Sequence, residues 1–434
     1  AIFSPLQNLG LIIVDEEHDS SYKQEDPAPR YHARDLAVVR GSMEKCPVVL
    51  GSATPSLESA FNASRKKYRL LQLPSRVTGH DLPEIKVVDL RGRSGEEIVL
   101  TPELCAAIEN HTGHRDQVIL FLNRRGYSTL VICRKCGYVF DCPNCSVGMV
   151  FHQQFKRLVC HHCMHKEPEP RVCPQCREAF VRYQGWGTEQ VTELVEKRFP
   201  NLKVQRMDAD TTRRKGAHGK ILGSFRRGEI DLLVGTQMIS KGLDFPRVSL
   251  VGIISADVSL NLPDFRAGER TYSLLTQVAG RAGRGERKGE VIIQSFSPRH
   301  YSIQMAISQN YPLFYEQELK YRKLISFPPV TRLTNLRIES ENEKTGQKAA
   351  AELAGRIRGS LDKVEGLKNR LRILGPLPAP IFRIKKIYRW HITLKGPGYE
   401  GRQELLDQKI VREFIFSPPK KVKIVVDVDP LNML

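Results

Sequence analysis

The sequence predicts an α/β protein of two parallel-sheet lobes, the first incomplete, with a cysteine-rich insert in the second lobe and a C-terminal α+β domain. Three observations carry this reading. Apolar runs that end in polar loops alternate with helical periods from residue 1 to about 300, as buried parallel strands and their crossover helices do. Eight of the ten cysteines fall into four Cys-x2-Cys pairs in one short span. From about residue 301 the alternation gives way to strands and helices around a Pro-rich basic segment, GPLPAPIFRIKKIYRW.

Residues 1–95 read as the C-terminal part of a first lobe. Leu9–His18 is an apolar run that ends in carboxylates, Ala33–Lys45 has helical period, and Pro47–Ser56 runs from a strand into a Gly/Ser/Pro loop. The polar stretch between the first two, with Tyr22 and Tyr31, reads as a long loop, and loops of that length in α/β domains tend to be functional. Residues 96–300 read as a second lobe, interrupted at 133–180 by the cysteine-rich insert, and residues 301–434 as the separate α+β domain. Alternating units in tandem imply a cleft between the lobes.

The cysteines are spaced Cys133-x2-Cys136-x5-Cys142-x2-Cys145-x14-Cys160-x2-Cys163-x9-Cys173-x2-Cys176. Each Cys-x2-Cys turn presents two thiolates to one metal, so eight thiolates make two closed tetrahedral four-cysteine sites, and two Zn2+ per chain are expected as structural ions. A nested pairing is sterically sensible, but spacing alone does not fix it. His152, His161, His162 and His165 read as surface residues beside so many thiolates. Cys46 and Cys105 fall in strand and helix patterns and read as core thiols.

Asp15-Glu16-Glu17-His18 follows an apolar strand, which places carboxylates at the sheet mouth, where open α/β sheets bind ligands. Nucleotide hydrolysis needs one acid to hold Mg2+ and another to orient or deprotonate water. Asp15 suits the first role and Glu16 the second. Gly51-Ser52-Ala53-Thr54-Pro55 is a tight loop whose hydroxyls can hydrogen-bond those carboxylates. In the second lobe stand Gly235-Thr236-Gln237-Met238, then Gly242-Leu243-Asp244, then Gln277-Val278-Ala279-Gly280-Arg281-Ala282-Gly283-Arg284. A guanidinium from the opposite lobe stabilises a transferring phosphoryl group only when the cleft closes. Arg284 is read as that finger and Arg281 as a second phosphate contact.

These strings resemble motifs II, III, V and VI of superfamily 2 helicases. With Asn123-Arg124-Arg125-Gly126-Tyr127-Ser128 and the eight-cysteine insert in this order, the chain resembles the PriA replication-restart helicase family (primosomal protein N′) over essentially its whole length. The string NRRGYS and the insert separate it from RecQ and RecG relatives. The resemblance implies two RecA-like lobes and a 3′ to 5′ DNA helicase driven by ATP with Mg2+. It implies forked and single-stranded DNA as substrates, with single-stranded-DNA-binding protein and other primosome components as partners. Glu17, His18, Ser52, Thr54, Gly242, Asp244 and Gln277 would couple ATP to lobe movement. Candidate DNA contacts are Tyr22, Tyr31 and His32 in the loop, Arg124, Arg125, Thr236 and Gln237 in the second lobe, and Lys385, Lys386 and Tyr388 in the basic–aromatic stretch. No GxxxxGK[ST] occurs; Gly216–Leu222 has the wrong spacing and no hydroxyl after Lys220. The chain is therefore expected to be an internal start that lacks the family's upstream P-loop, and to be inactive by itself.

The bulk numbers agree. The chain of 434 residues has 67 Lys+Arg against 48 Asp+Glu, a formal net charge of +19, which favours a polyanionic partner. No apolar run approaches the ~20 residues of a membrane span, and the start has no signal-peptide pattern. Thiol pairs in a basic chain of this kind point to metal in a reducing cytoplasm, and the protein is read as a cytoplasmic monomer. The competing reading is a zinc-dependent DNA-binding scaffold with an unused ATPase fold; a double-strand translocase that moves without unwinding is a third.

Overall fold

The structure, a computed structural model, describes residues 2–73, 83–93, 95–122, 131, 133, 135–144, 148–152, 156–160, 163–179, 186–208, 210–214, 216–236, 245–262, 264–283, 288–363 and 366–433. Lobe one consists of β1 (Ile12–Val14), α1 (Ala33–Glu44), β2 (Val48–Leu50) and α2 (Leu57–Ser64). β1 and β2 pair in parallel, Ile12 opposite Val48. The left-handed Lys45 closes α1, its N–H bonding the Gly41 carbonyl. Gly41 itself admits no side chain, since a Cβ there would meet Val48 Cγ2 at 2.3 Å. Ser56 caps α2 by accepting the Ser59 N–H. The two-stranded sheet and α1 leave Ile13, Val39, Met43 and Val49 exposed.

Lobe two begins at β3 (Glu84–Asp89), followed by α3 (Pro102–Gly113) and β4 (Gln117–Leu122). The insert then carries β5 (Val150–His152), β6 (Arg157–Val159) and β7 (Lys166–Pro168) as a small antiparallel sheet. The lobe resumes with α4 (Thr188–Arg198), β8 (Val204–Met207), α5 (Ala217–Arg227), β9 (Leu232–Gly235), β10 (Val248–Ile254), α6 (Asp257–Leu260), α7 (Ala267–Ala279) and β11 (Glu290–Ser295). The six strands are all parallel in the order β3-β11-β10-β4-β9-β8. Period-two alternation sorts each strand onto two cores. In β4, Ile119 and Phe121 face α5 and α7 residues, whereas Val118, Leu120 and Leu122 face α3 and α4 residues. Because both faces are covered, β4, β9 and β10 are buried at every position, which is why they read as unbroken apolar runs.

Two boundaries differ from the sequence reading. β3 lies ahead of residue 96 yet pairs with β11 from Glu84–Glu290 to Asp89–Ser295, so the sheet of lobe two reaches back before the expected division at 95. α8 (Tyr301–Ile307) and α9 (Tyr311–Leu324) lie beyond 300, yet Ile303, Ala306 and Phe314 are part of lobe two's core. Hydrophobic burial, not the change in sequence style, decides where these segments belong.

The C-terminal α+β unit comprises β12 (Arg332–Ser340), α10 (Glu343–Leu361), β13 (Arg372–Ile384), β14 (Ile387–Gly396), α11 (Glu400–Asp407), α12 (Lys409–Phe416) and β15 (Val422–Val428). Its antiparallel sheet runs β13-β14-β12-β15 and packs on α10 and α12. The basic–aromatic stretch forms the end of the β13–β14 hairpin and its tip. Lys385 and Lys386 occupy it with φ of +48° and +67°, a two-residue turn whose twist matches that of the strands.

Candidate motor site and metal centre

β1 delivers the acidic string to the sheet mouth. Asp15 and Glu16 stay exposed there, and Asp15 Oδ1 accepts the Glu16 N–H at 2.9 Å. Glu16 has φ +47°, a left-handed conformation that a glutamate seldom adopts and that collects at functional sites. Glu17 turns the other way and is 1% exposed. Its carboxylate accepts the Ser56 N–H at 2.6 Å, the Ser56 and Ser59 hydroxyls at 2.9 Å each, and an Arg34 N–H at 3.0 Å. Glu17 thus fastens the strand end to α1 and to the cap of α2.

His18 joins three motifs. Its Nδ1 lies 2.7 Å from Ser52 Oγ, and its Nε2 meets the side-chain amide of Gln277 on α7. The tautomer with hydrogen on Nδ1 satisfies both, donating to Ser52 and accepting from Gln277. Ser52 Oγ also accepts the Thr54 N–H at 2.9 Å, and Thr54 Oγ1 is 2.9 Å from Ser273 Oγ on α7. Further down α7, Glu269 Oε1 accepts the Leu57 N–H at 2.9 Å, and Arg266, at the N-cap of α7, bonds Glu58 at 2.7 Å. Burial pushes the Glu58 carboxyl up, but Arg266, Arg34 and Arg322 outweigh it and hold Glu58 at about 2. Sequence reasoning missed Arg34, Glu58, Arg266, Glu269 and Ser273. Stepping back from Gln277 by 4, 4 and 3 residues reaches Ser273, Glu269 and Arg266, a spacing that marks one helix face.

Tyr22 donates its hydroxyl to the Asp15 carbonyl at 2.6 Å, and the Tyr31 ring meets Phe3 edge-on at 5.1 Å. A backbone bridge between Lys23 and His32 closes the loop between them. Burial, then Arg34, lower the His32 imidazole to about 4, so it is neutral at neutral pH. Lys23 is buried and reaches the C-terminal unit, 2.8 Å from both Asp427 Oδ1 and the Val428 carbonyl. A cavity of about 200 Å3 lies between the lobes, lined by His18, His32, Arg34, Arg266, Glu269 and Gln277 among others. Thr236 sits half-buried at the end of β9, and Arg281 half-buried just past α7. Arg124, Arg125, Gln237, Gly242, Asp244, Arg284 and Cys145 lie outside the described residues.

In the insert, Cys133, Cys136, Cys173 and Cys176 converge, with Cys133–Cys176 and Cys136–Cys173 sulfur separations of 3.5 Å each. A tetrahedral zinc with ~2.3 Å bonds sets its sulfurs about 3.8 Å apart, so the outer pairs fit one ion. Cys142, Cys160 and Cys163 form a second cluster, Cys142 and Cys163 being 3.4 Å apart. Among the described residues the pairing is nested, the two outer pairs on one site and Cys142 with Cys160 and Cys163 on the other. Three of the knuckles turn the same way: the residue four after the first cysteine has positive φ (Gly137 +73°, Met164 +72°, Arg177 +59°), and its N–H bonds that cysteine's carbonyl. Gly137 is also pressed against lobe two, where a Cβ would meet the Phe296 carbonyl oxygen at 2.5 Å. His165 bonds Glu167 at 3.0 Å and lies outside both clusters.

The parallel sheet, the helix whose Gln277 meets His18 of the acidic strand end and the thiolate insert define a helicase-fold protein with a zinc-binding insert. Three family profiles match it: a PriA DNA helicase Cys-rich region domain at residues 142–168, a helicase conserved C-terminal domain at 175–286 and a primosomal protein N C-terminal domain at 323–431. The replication restart protein PriA of Bacillus subtilis (strain 168) is 45% identical over 437 residues, covering 100% of this chain and 53% of that protein. PriA of Synechocystis sp. is 44% identical over 443 residues, covering 100% and 52%. Along its whole length the chain is similar to PriA replication restart proteins. It spans about half the length of these curated relatives.

Proposed function

We propose that this chain forms the cleft-closing part of an ATP-dependent 3′ to 5′ DNA helicase of replication restart. The observation that carries this reading is His18, bracketed by Ser52 from motif III and Gln277 from motif VI. In this reading the exposed Asp15 holds Mg2+, whose preference is for such hard oxygen donors, and Glu16 orients the attacking water. Arg281 and Arg284 neutralise phosphate charge from the second lobe, with Glu17, His18, Ser52, Thr54, Gly242, Asp244 and Gln277 coupling the two. The ion supplies Lewis acidity when bound. The phosphate cradle GxxxxGK[ST] is absent from the 434 residues, so this chain by itself is not expected to turn over ATP.

The net charge of +19 supports forked and single-stranded DNA as the partner, with Tyr22, Tyr31, His32, Arg124, Arg125, Thr236, Gln237, Lys385, Lys386 and Tyr388 as contacts. Two Zn2+ hold the insert. Single-stranded-DNA-binding protein and primosome components are the proposed protein partners of a cytoplasmic monomer. No described helix is long and apolar enough to cross a membrane.

The test is ATP hydrolysis with and without forked DNA on a chain extended upstream to include a P-loop. Strong DNA-dependent turnover that Glu16→Gln and Arg284→Ala each abolish supports the motor. No turnover from a folded, zinc-loaded protein favours the binding scaffold.

A further inference from the structure

Four side chains of one helix face meet lobe one: Arg266, Glu269, Ser273 and Gln277, spaced by 3, 4 and 4 residues. Arg281 follows two residues after the end of α7. The upper two, Ser273 and Gln277, touch the motif loops. The lower two touch neither motif II nor the GSATP loop. They hold the start of α2, where Glu269 Oε1 takes the Leu57 N–H and Arg266 takes Glu58.

We propose that Glu269 and Arg266 are positioning residues that fix the register of α7 against lobe one, and so the placement of Arg281 just beyond its end. The proposal rests on the motor reading. The carboxylate of Glu269 is divided between the lobes: one oxygen accepts from Leu57, and the other accepts from Arg322 of α9 at 3.0 Å. Arg322 is 1% exposed and bonds Glu318 as well at 2.7 Å. Glu269 is therefore anchored rigidly in its own lobe while it caps a helix of the other, where the positive N-terminal end favours an anion. Arg266 and Glu58 have side-chain exposures of only 7% and 13%. A buried ion pair of this kind contributes little net stability, and its best-attested use is to specify register. Parting the lobes would leave the Leu57 N–H uncapped and reduce Glu58 to Arg34 and Arg266 to Glu269 at 3.6 Å, so the seam favours the engaged register over a slipped one. A one-residue slip of α7 would turn its lobe-facing side chains about 100° around the helix axis, Gln277 away from His18 among them, and would shift Arg281 just beyond its end.

The experiment is steady-state ATP hydrolysis by the full-length protein, with forked DNA. Glu269→Ala and Arg266→Ala are expected to lower DNA-stimulated kcat by about tenfold, with KM for ATP within about threefold, because placement is lost after nucleotide has bound. The exchange Glu58→Arg with Arg266→Glu is expected to recover at least about a third of wild-type kcat, the register being set by opposite charge and not by residue identity. Wild-type kcat in both alanine variants overturns the proposal. So does a loss of kcat that the charge exchange fails to restore. If an alanine variant does not fold, Glu269→Gln, which still accepts the Leu57 N–H but loses its charge toward Arg322, is expected to lower kcat by about threefold; unchanged kcat overturns the proposal. A wild-type protein with no turnover overturns the motor reading first, and this one with it.

Discussion

Glu17 accepts the backbone N–H of Ser56 at 2.6 Å, which ties the end of β1 to the cap of α2. The same carboxylate holds Arg34, itself 7% exposed. Removing Glu17 leaves Arg34 with Asp35 as its remaining acidic partner at 2.9 Å and strips the Ser56 and Ser59 hydrogen bonds, at a cost toward the lower end of the about 3–5 kcal/mol of a broken buried pair. Glu17→Ala is therefore expected to destabilise lobe one by about that amount, and Glu17→Gln by clearly less, since an amide oxygen still accepts from Ser56. Denaturant unfolding of the two variants checks this. A loss under about 1 kcal/mol for Glu17→Ala would show that Asp35 alone compensates Arg34.

The Glu58 junction gives a pH dependence of defined sign. Its folded value of about 2 lies below the ordinary 4.5, so the folded state binds the proton less readily than the unfolded one. Its contribution to stability is fully present above about pH 4.5 and is lost as pH falls toward about 2. Glu58→Gln, which cannot ionise, removes the effect. The stability difference between wild type and Glu58→Gln, followed by denaturant unfolding, should be constant above about pH 5 and should shift against the wild type below it. A difference that does not change from about pH 6 to about pH 3 would mean that Glu58 and Arg266 are not paired in solution.

Parallel lobes, a thiolate insert and the acidic strand end were legible because each rests on a local pattern: unbroken apolar runs, Cys-x2-Cys spacing, a carboxylate string after a strand. The nested zinc pairing was not, since spacing leaves all three pairings of the four knuckles open and only the fold brings Cys133 and Cys136 to Cys173 and Cys176. The inter-lobe contacts were hidden for another reason. Arg266 and Glu269 meet Glu58 and Leu57 across more than two hundred residues of chain, and nothing in either local sequence names its partner. β3 and α8 take their place from burial against distant strands, which no local pattern near residues 95 and 300 announces.

The two metal clusters should be separable. Cys136→Ser is expected to reduce zinc from two ions per chain to one and to leave the Cys142–Cys160–Cys163 site loaded, and Cys163→Ser the reverse, as read by native mass spectrometry. Loss of both ions from either variant would show that the sites fold as one unit.

Gly137 has two reasons to be glycine, its φ of +73° and the Phe296 carbonyl 2.5 Å from any Cβ. That carbonyl is backbone and cannot swing aside. Gly137→Ala should therefore lift the first knuckle off lobe two and speed zinc loss to a chelator from the outer site alone, while the inner site releases at the wild-type rate. Equal acceleration at both sites would place the strain elsewhere than at the Phe296 contact.

The hairpin tip separates a turn role from a DNA role. Lys385 and Lys386 both have positive φ, where Asn-Gly is preferred, so Lys385→Asn with Lys386→Gly should stabilise the C-terminal unit by about 1 kcal/mol. The lysines stand at a position where they are conformationally unfavourable, with Arg383 stacked on Tyr388 at 4.8 Å beside them. If they contact phosphates, the double substitution should also weaken forked-DNA binding and reduce the salt dependence of affinity by about two ion equivalents. Fluorescence anisotropy over a salt series reads both the affinity and its salt slope. Higher stability with an unchanged salt slope would assign the two lysines to solvent and move the DNA contact away from this hairpin.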